Sequence, residues 1–135
     1  MLFSKRTLIA AGATMAMVLS AGAAMAHGYG GSWPVTVTRS QHSNGTYCLT
    51  LTANGSDAGS ASLVIGSQRF PYGSFLVVNH TLVATITAQA YSQNAGLVFA
   101  GSANRGKIGP GVFEDVYGGS DFDSGALAFG MKGGC

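Results

Sequence analysis

Residues 75–91 read FLVVNHTLVATITAQAY, the longest nearly unbroken β-type pattern in the chain. From Leu82 onward apolar side chains take every second position (Leu82, Ala84, Ile86, Ala88, Ala90), while Thr81, Thr85, Thr87 and Gln89 occupy the other face. Successive side chains of a strand point to opposite faces, so this alternation describes a strand with one dry and one wet side. An unbroken strand over the whole stretch would far exceed the usual length of about 3–10 residues. Asn79-His80 divides it into a hairpin, with a strand at 75–78, a two-residue turn, and a second strand beyond.

The same signals recur on both sides. Upstream, 35–39 reads as a strand, Ser43-Asn44-Gly45 as a tight hairpin turn, and 46–53 as a second strand. Tyr47, Leu49, Leu51 and Ala53 share one face of that strand, with Thr46, Cys48, Thr50 and Thr52 on the other. A turn at 54–57 leads to strand 61–65, whose Ala61, Leu63 and Ile65 face inward, and 66–73, broken by Pro71, reads as a loop.

Downstream, Asn94-Ala95-Gly96 ends the fifth strand, 97–102 forms the sixth, and Asn104-Arg105-Gly106 turns again. Beyond Gly109-Pro110-Gly111, the seventh strand at 112–117 alternates Val112, Glu114 and Val116 with Phe113, Asp115 and Tyr117. A Gly- and Asp-rich loop at 118–125 precedes the last strand, 126–131. No helical period follows residue 26. About eight short strands joined by tight turns predict an all-β antiparallel meander. A small closed barrel, which removes exposed edges, is preferred over the alternative of a two-sheet sandwich.

The first 26 residues read as an export signal: Lys5 and Arg6 precede a small, apolar run at 7–19, and Ala24-Met25-Ala26 supplies the A-x-A cleavage pattern. That run is shorter than the roughly 20 residues a membrane span requires. Residues 27–135 then form a single β domain, placed in the periplasm or secreted, with no stable membrane insertion after cleavage. Removing the leader also removes the net charge of +2, since Arg39, Arg69, Arg105, Lys107 and Lys132 balance Asp57, Glu114, Asp115, Asp121 and Asp123. A neutral domain gives no reason to expect a nucleic-acid partner. In an oxidising compartment, Cys48 and Cys135 are expected to form a disulfide, with Cys48 on the Thr face and the bridge outside the aliphatic layer.

Gly31-Ser32-Trp33, at the start of the first strand, resembles the G-x-W signature of the calycin-type barrels, the lipocalins and avidins. In those families the tryptophan plugs one end of an eight-stranded meander. The resemblance implies a barrel with one open mouth, and hence a site for a ligand or partner. The C-terminal helix typical of lipocalins has no counterpart here.

Candidate chemistry is sparse. His27, at the expected mature N-terminus, could chelate copper through its amine and imidazole, with His42 or His80 as the second histidine. Glu114, Asp115, Asp121 and Asp123 cluster in sequence, but Asp121-Phe122-Asp123-Ser124-Gly125 fails the EF-hand register, because Lys132 stands where the bidentate Glu belongs. Glu114 and Asp115 point to opposite faces of their strand, so at most one of them belongs with the loop pair Asp121 and Asp123, which reads as a solvated acidic loop. No G-x-S-x-G elbow supports a catalytic triad. Arg69-Phe70-Pro71-Tyr72, read as a loop, presents an Arg and two aromatics of the kind used for recognition.

The reading is therefore an exported, monomeric, disulfide-closed barrel acting as a non-catalytic binding or interaction module, with no cofactor and with an unknown small ligand or protein as partner. Candidate binding residues are Arg69, Phe70, Tyr72, Asp121 and Asp123, within loops 66–73, 104–111 and 118–125. The alternatives are a copper protein using His27 and a self-assembling surface or matrix protein.

Overall fold

A computed structural model of the chain describes residues 28–55, 57–90, 93–117 and 121–135. The leader at 1–26 and His27 lie outside the described residues. Eight strands follow in chain order: β1 (Gly31–Thr38), β2 (Gly45–Ala53), β3 (Ala58–Ile65), β4 (Gln68–Val78), β5 (Thr81–Ala90), β6 (Gln93–Asn104), β7 (Lys107–Tyr117) and β8 (Asp121–Phe129). Each pairs antiparallel with the next, and β8 returns to β1 through Val35↔Phe129 to Thr38↔Ala126, so the meander closes into a barrel. The sandwich alternative is thereby excluded.

The period-2 pattern sets what lies inside. Val35 and Val37, Leu49 and Leu51, and Leu82, Ala84 and Ile86 all point into the barrel and are buried. An eight-stranded barrel is just wide enough for side chains to fill. Phe99 and Phe113, register partners across β6 and β7, meet at its centre with ring centroids 5.2 Å apart and planes tilted by 56°. Such a pair adds about 1 kcal/mol beyond the roughly 1.5–3 kcal/mol that each large apolar side chain gains from burial.

Several strands are longer than expected, and two prolines explain much of the difference. Residues 66–73 are not a loop: β4 begins at Gln68, and Pro71 lies where its register with β3 shifts. Between the pairs Leu63↔Phe70 and Ala61↔Gly73, two residues of β4 oppose one of β3. The 104–111 segment is likewise mostly strand, because Gly109 and Pro110 sit opposite Ser102 alone, between Gly101↔Gly111 and Ala103↔Ile108. An extra residue in a bulge makes no ladder bond, so the missing N–H of proline costs little there. Gly111 completes the second bulge, since a Cβ at this position would lie 1.7 Å from the carbonyl oxygen of Ala100.

The 118–125 loop is corrected in the same way. Strand β8 starts at Asp121, pairing Asp115 with Asp123 and Phe113 with Gly125, and it ends at Phe129 rather than at Met131.

Turn chemistry follows the residues in two places and departs from them in a third. Asn79 (φ 51°) and His80 (φ 60°) form the expected two-residue turn between Val78 and Thr81, and Arg105 (φ 52°) with Gly106 (φ 79°) forms its counterpart between β6 and β7. Positive φ at both central positions matches the right-handed strand twist. Asn44-Gly45 does not make such a turn. Gly45 instead opens β2, and residues 39–44 form a longer connection that folds over the barrel end.

The expected disulfide joins Cys48 to Cys135, 87 positions apart, with Cα atoms separated by 5.9 Å. Cys48 lies on the outward face of β2, as the alternation requires. The bridge pins the segment after β8 against the start of β1, where the Gly130 N–H donates to the Pro34 carbonyl and the Gly133 N–H to that of Ser32, each at 2.7 Å. In the chain-entropy model, closing a loop of this length is worth about 4.5 kcal/mol.

Candidate functional site

The meander places every second connection at the same end of the barrel. Residues 28–30, the turns at 79–80 and 105–106, and the tail 130–135 share one end, called here the tail end. The 39–44 connection lies at the other, the latch end.

At the tail end, inward parity from Val35 and Val37 carries Trp33 into the barrel, where it is buried. Its indole Nε1–H donates to the Tyr29 carbonyl at 3.0 Å, and Phe129 meets it edge-on with centroids 6.3 Å apart. The Lys132 stem crosses beside Gly31, whose missing side chain leaves the space. The Lys132 ammonium then stands 5.8 Å from the Trp33 ring centroid and donates to the Gly28 carbonyl at 3.0 Å.

Between this tail and the β6–β7 turn runs a groove of about 620 Å³. Arg105, Lys107 and Lys132 supply its charge, Ile108, Phe129 and Met131 its apolar surface, and among the described residues no carboxylate side chain lines it. All three cations are exposed, as is Met131, at 84%. On the other side of Arg105 a second groove, of about 680 Å³, is polar, with Asp57, Asn79, His80 and Asn104 in its lining.

The latch end is built from carboxylates. Asp115 shares the inward face of β7 with Phe113 and is fully buried, and Asp123, its register partner on β8, is 8% exposed. Asp123 accepts hydrogen bonds from the Ser40 hydroxyl and from the Gln41 and His42 N–H groups, both at 3.0 Å. Asp115 accepts from the Ser43 hydroxyl at 2.6 Å, and the Tyr47 hydroxyl donates to the Ser43 carbonyl. Asn44 exchanges two bonds with Ser40, through its Oδ1 at 2.8 Å and its Nδ2 at 3.0 Å. The Ser40 hydroxyl, followed by the Gln41 N–H, holds the Asp123 carboxyl down at about 2, against an ordinary 3.8.

These positions revise the sequence-based candidates. Asp123 is a structural acceptor turned toward the 39–44 connection, not a residue of a solvated loop, and the Asp121 side chain lies outside the described residues. Arg69, Phe70 and Tyr72 lie on β4 and separate at its bulge: Arg69 is exposed, Phe70 packs against the core, and Tyr72 is 75% exposed.

His42 and His80 stand at opposite ends of the barrel, so no site can use both, and His27 lies outside the described residues. Among the described residues, no three His, Cys, Asp or Glu side chains form a metal-binding group, and no histidine side chain hydrogen-bonds Ser40 or Ser43.

Of the three candidate loops, 104–111 supplies one wall of the tail-end groove, through Arg105, Lys107 and Ile108; sequence reasoning missed the other wall, because Trp33 and Lys132 lie about 100 positions apart. Only the disulfide hinted that the tail returns to the first strands.

The open mouth implied by the calycin resemblance is absent among the described residues. Trp33 and Tyr29 fill one end, and Ser40 and Ser43 are buried at the other. No protein-family model, curated protein or solved structure matches the chain.

Proposed function

We propose that the protein is an exported, non-catalytic binding module whose ligand or partner docks at the tail end of the barrel rather than inside it. The groove beside Trp33 carries this reading: among its described lining three cations and no carboxylate border the exposed Met131 and the partly covered Phe129, at the end of a barrel that Trp33 plugs. Concave sites that combine an apolar lining with a few placed polar groups are the usual form of ligand pockets. Export is supported by the A-x-A leader pattern and by a disulfide suited to an oxidising compartment, periplasmic or extracellular. Kinship with the calycin barrels belongs to the same proposal, supported by Trp33 plugging the barrel from the start of β1.

The test is native mass spectrometry of the protein isolated from its source, alongside the double variant Arg105→Asn/Lys107→Gln. Asn is chosen at 105 because it tolerates the positive φ there. The wild type should retain a ligand or partner that the variant loses. Isolation of a bare chain, or a partner retained equally by the variant, would count against docking at this end. Turnover in a hydrolase panel that disappears in Asp123→Asn would show an enzyme instead.

A further inference from the structure

Resting on that reading of the tail end, we infer that the groove takes a small amphiphilic anion: a single acyl-type chain ending in a carboxylate. The headgroup sits among Arg105, Lys107 and Lys132, and the chain lies over Ile108, Phe129 and Met131.

Charge gives the first part of the argument. Of the ten charged residues after the leader, three cations line this groove with no carboxylate side chain among its described lining; Asp57 lines the adjoining groove across Arg105, and Asp115 and Asp123 are tied into the latch at the far end. The groove at the latch end, of about 520 Å³, instead mixes Arg39 with Glu114 and Asp123 and has no such bias. Lys132 is also held in place. Its bond to the Gly28 carbonyl and its position over Trp33 fix the ammonium, and two of its three N–H donors remain for a ligand. An anchor already ordered in the free protein lowers the entropic cost of binding.

The apolar part gives the second. Met131 projects into solvent beside Phe129 and next to the cations, so one elongated molecule can cover the sulfur-bearing chain and meet the charge at its end. Methionine adapts readily to such chains. A volume of about 620 Å³ suits one small molecule. The site is also a cleft between a hairpin tip and a tail, which separates a single free amphiphile from the flat surface of a lipid leaflet.

Trp33 is the chain's only tryptophan and lines the groove, so its fluorescence reports occupancy. The experiment titrates the disulfide-intact protein with decanoate, decyl maltoside and decyltrimethylammonium, each below its micelle threshold, and with vesicles of anionic phospholipid. Calorimetry follows each titration in parallel. Decanoate should bind saturably, about tenfold or more tighter than the neutral and cationic analogues. Arg105→Asn/Lys107→Gln should weaken it by about tenfold with Tm unchanged, Met131→Glu should weaken it too, and Arg39→Ala at the latch end should not.

Equal binding of the three decyl compounds would overturn the inference. So would binding to vesicles alone, no saturable signal by either method, or an Arg39→Ala loss matching that of the double variant. If decanoate fails while mass spectrometry shows another partner lost in the double variant, the amphiphile is wrong and tail-end docking stands. If both fail, both are wrong.

Discussion

At the latch end, residues 39–44 are held by hydroxyl and amide donors aimed at two carboxylates. At the tail end, closure is made by Trp33, Phe129, the stem of Lys132 and a covalent bond. The first closure is directional, because its donors converge on acceptors in fixed positions, and removing an acceptor leaves buried donors short of a partner. The second is made of surfaces and a crosslink, which tolerate changes of detail and leave charged heads facing water. Carboxylates used as structural acceptors cannot also serve a ligand, whereas cations lying over an apolar floor can. The contrast explains why Asp115 and Asp123 belong to the fold, and why Arg105, Lys107 and Lys132, scattered in the sequence, define the candidate site.

The largest effect should come from breaking the tail end covalently. Cys48→Ser with Cys135→Ser should cost up to about 4.5 kcal/mol by the chain-entropy model, measured as a lower denaturant midpoint. The freed tail should also weaken tail-end binding while the 39–44 latch stays in place. Retained binding at wild-type strength would show that the tail needs no pinning to form the groove.

The matching test at the latch end is Asp115→Ala. It strips the Ser43 hydroxyl of its acceptor and leaves space beside Phe113, at a cost of about 2–3 kcal/mol. Its neighbour Glu114 faces solvent, and Glu114→Ala should stay within about 0.5 kcal/mol of wild type. Equilibrium unfolding of both variants decides the point, and equal losses would mean that Asp115 has no part in the closure.

The adjacent pair Glu114 and Asp115 also shows how far the fold could be read from residues. Alternation put Leu82, Ala84 and Ile86 on one face, and the structure buries all three. The same rule groups Asp115 with Phe113, the obvious core residue of β7, so a buried carboxylate was legible by parity. What the residues alone did not show was its partner on β8, since Asp123 read as part of a wet loop while the structure pairs it with Asp115 in register. Pro71 and Pro110 misled for a different reason, since proline breaks a ladder only where a bond is required and a bulge requires none. The groove was legible only in part: the candidate segment 104–111 supplies Arg105, Lys107 and Ile108, but these meet Phe129 and Lys132 only after the barrel closes and the disulfide turns the tail back.

A smaller effect is expected from Trp33→Phe. The ring is kept, but the Nε1–H bond to Tyr29 and part of the attraction for Lys132 are lost, for about 1.5 kcal/mol in all. Thermal unfolding would register it. A loss as large as that from Asp115→Ala would show that the tail end, too, depends on one directional bond.

The weakest effect at neutral pH, and the one that separates the ends most cleanly, is titration of Asp123. Its carboxyl is held at about 2 in the folded protein, below the ordinary 3.8, chiefly by the Ser40 hydroxyl. The unfolded chain therefore takes up the proton first as the solution is acidified. The carboxylate's contribution to stability is fully present above about pH 4 and is lost as the pH falls through about 2. The side chains that close the tail end, those of Trp33, Phe129, Lys132 and the disulfide, include no carboxylate acceptor comparable to Asp123. Denaturant unfolding across this range should show wild-type stability falling with acid, and Asp123→Asn should flatten that limb, because its amide does not titrate and cannot replace both acceptor oxygens. If the variant kept the full slope, the acid sensitivity would lie outside the Ser40–Asp123 latch, and the two ends would no longer differ in their response to protons.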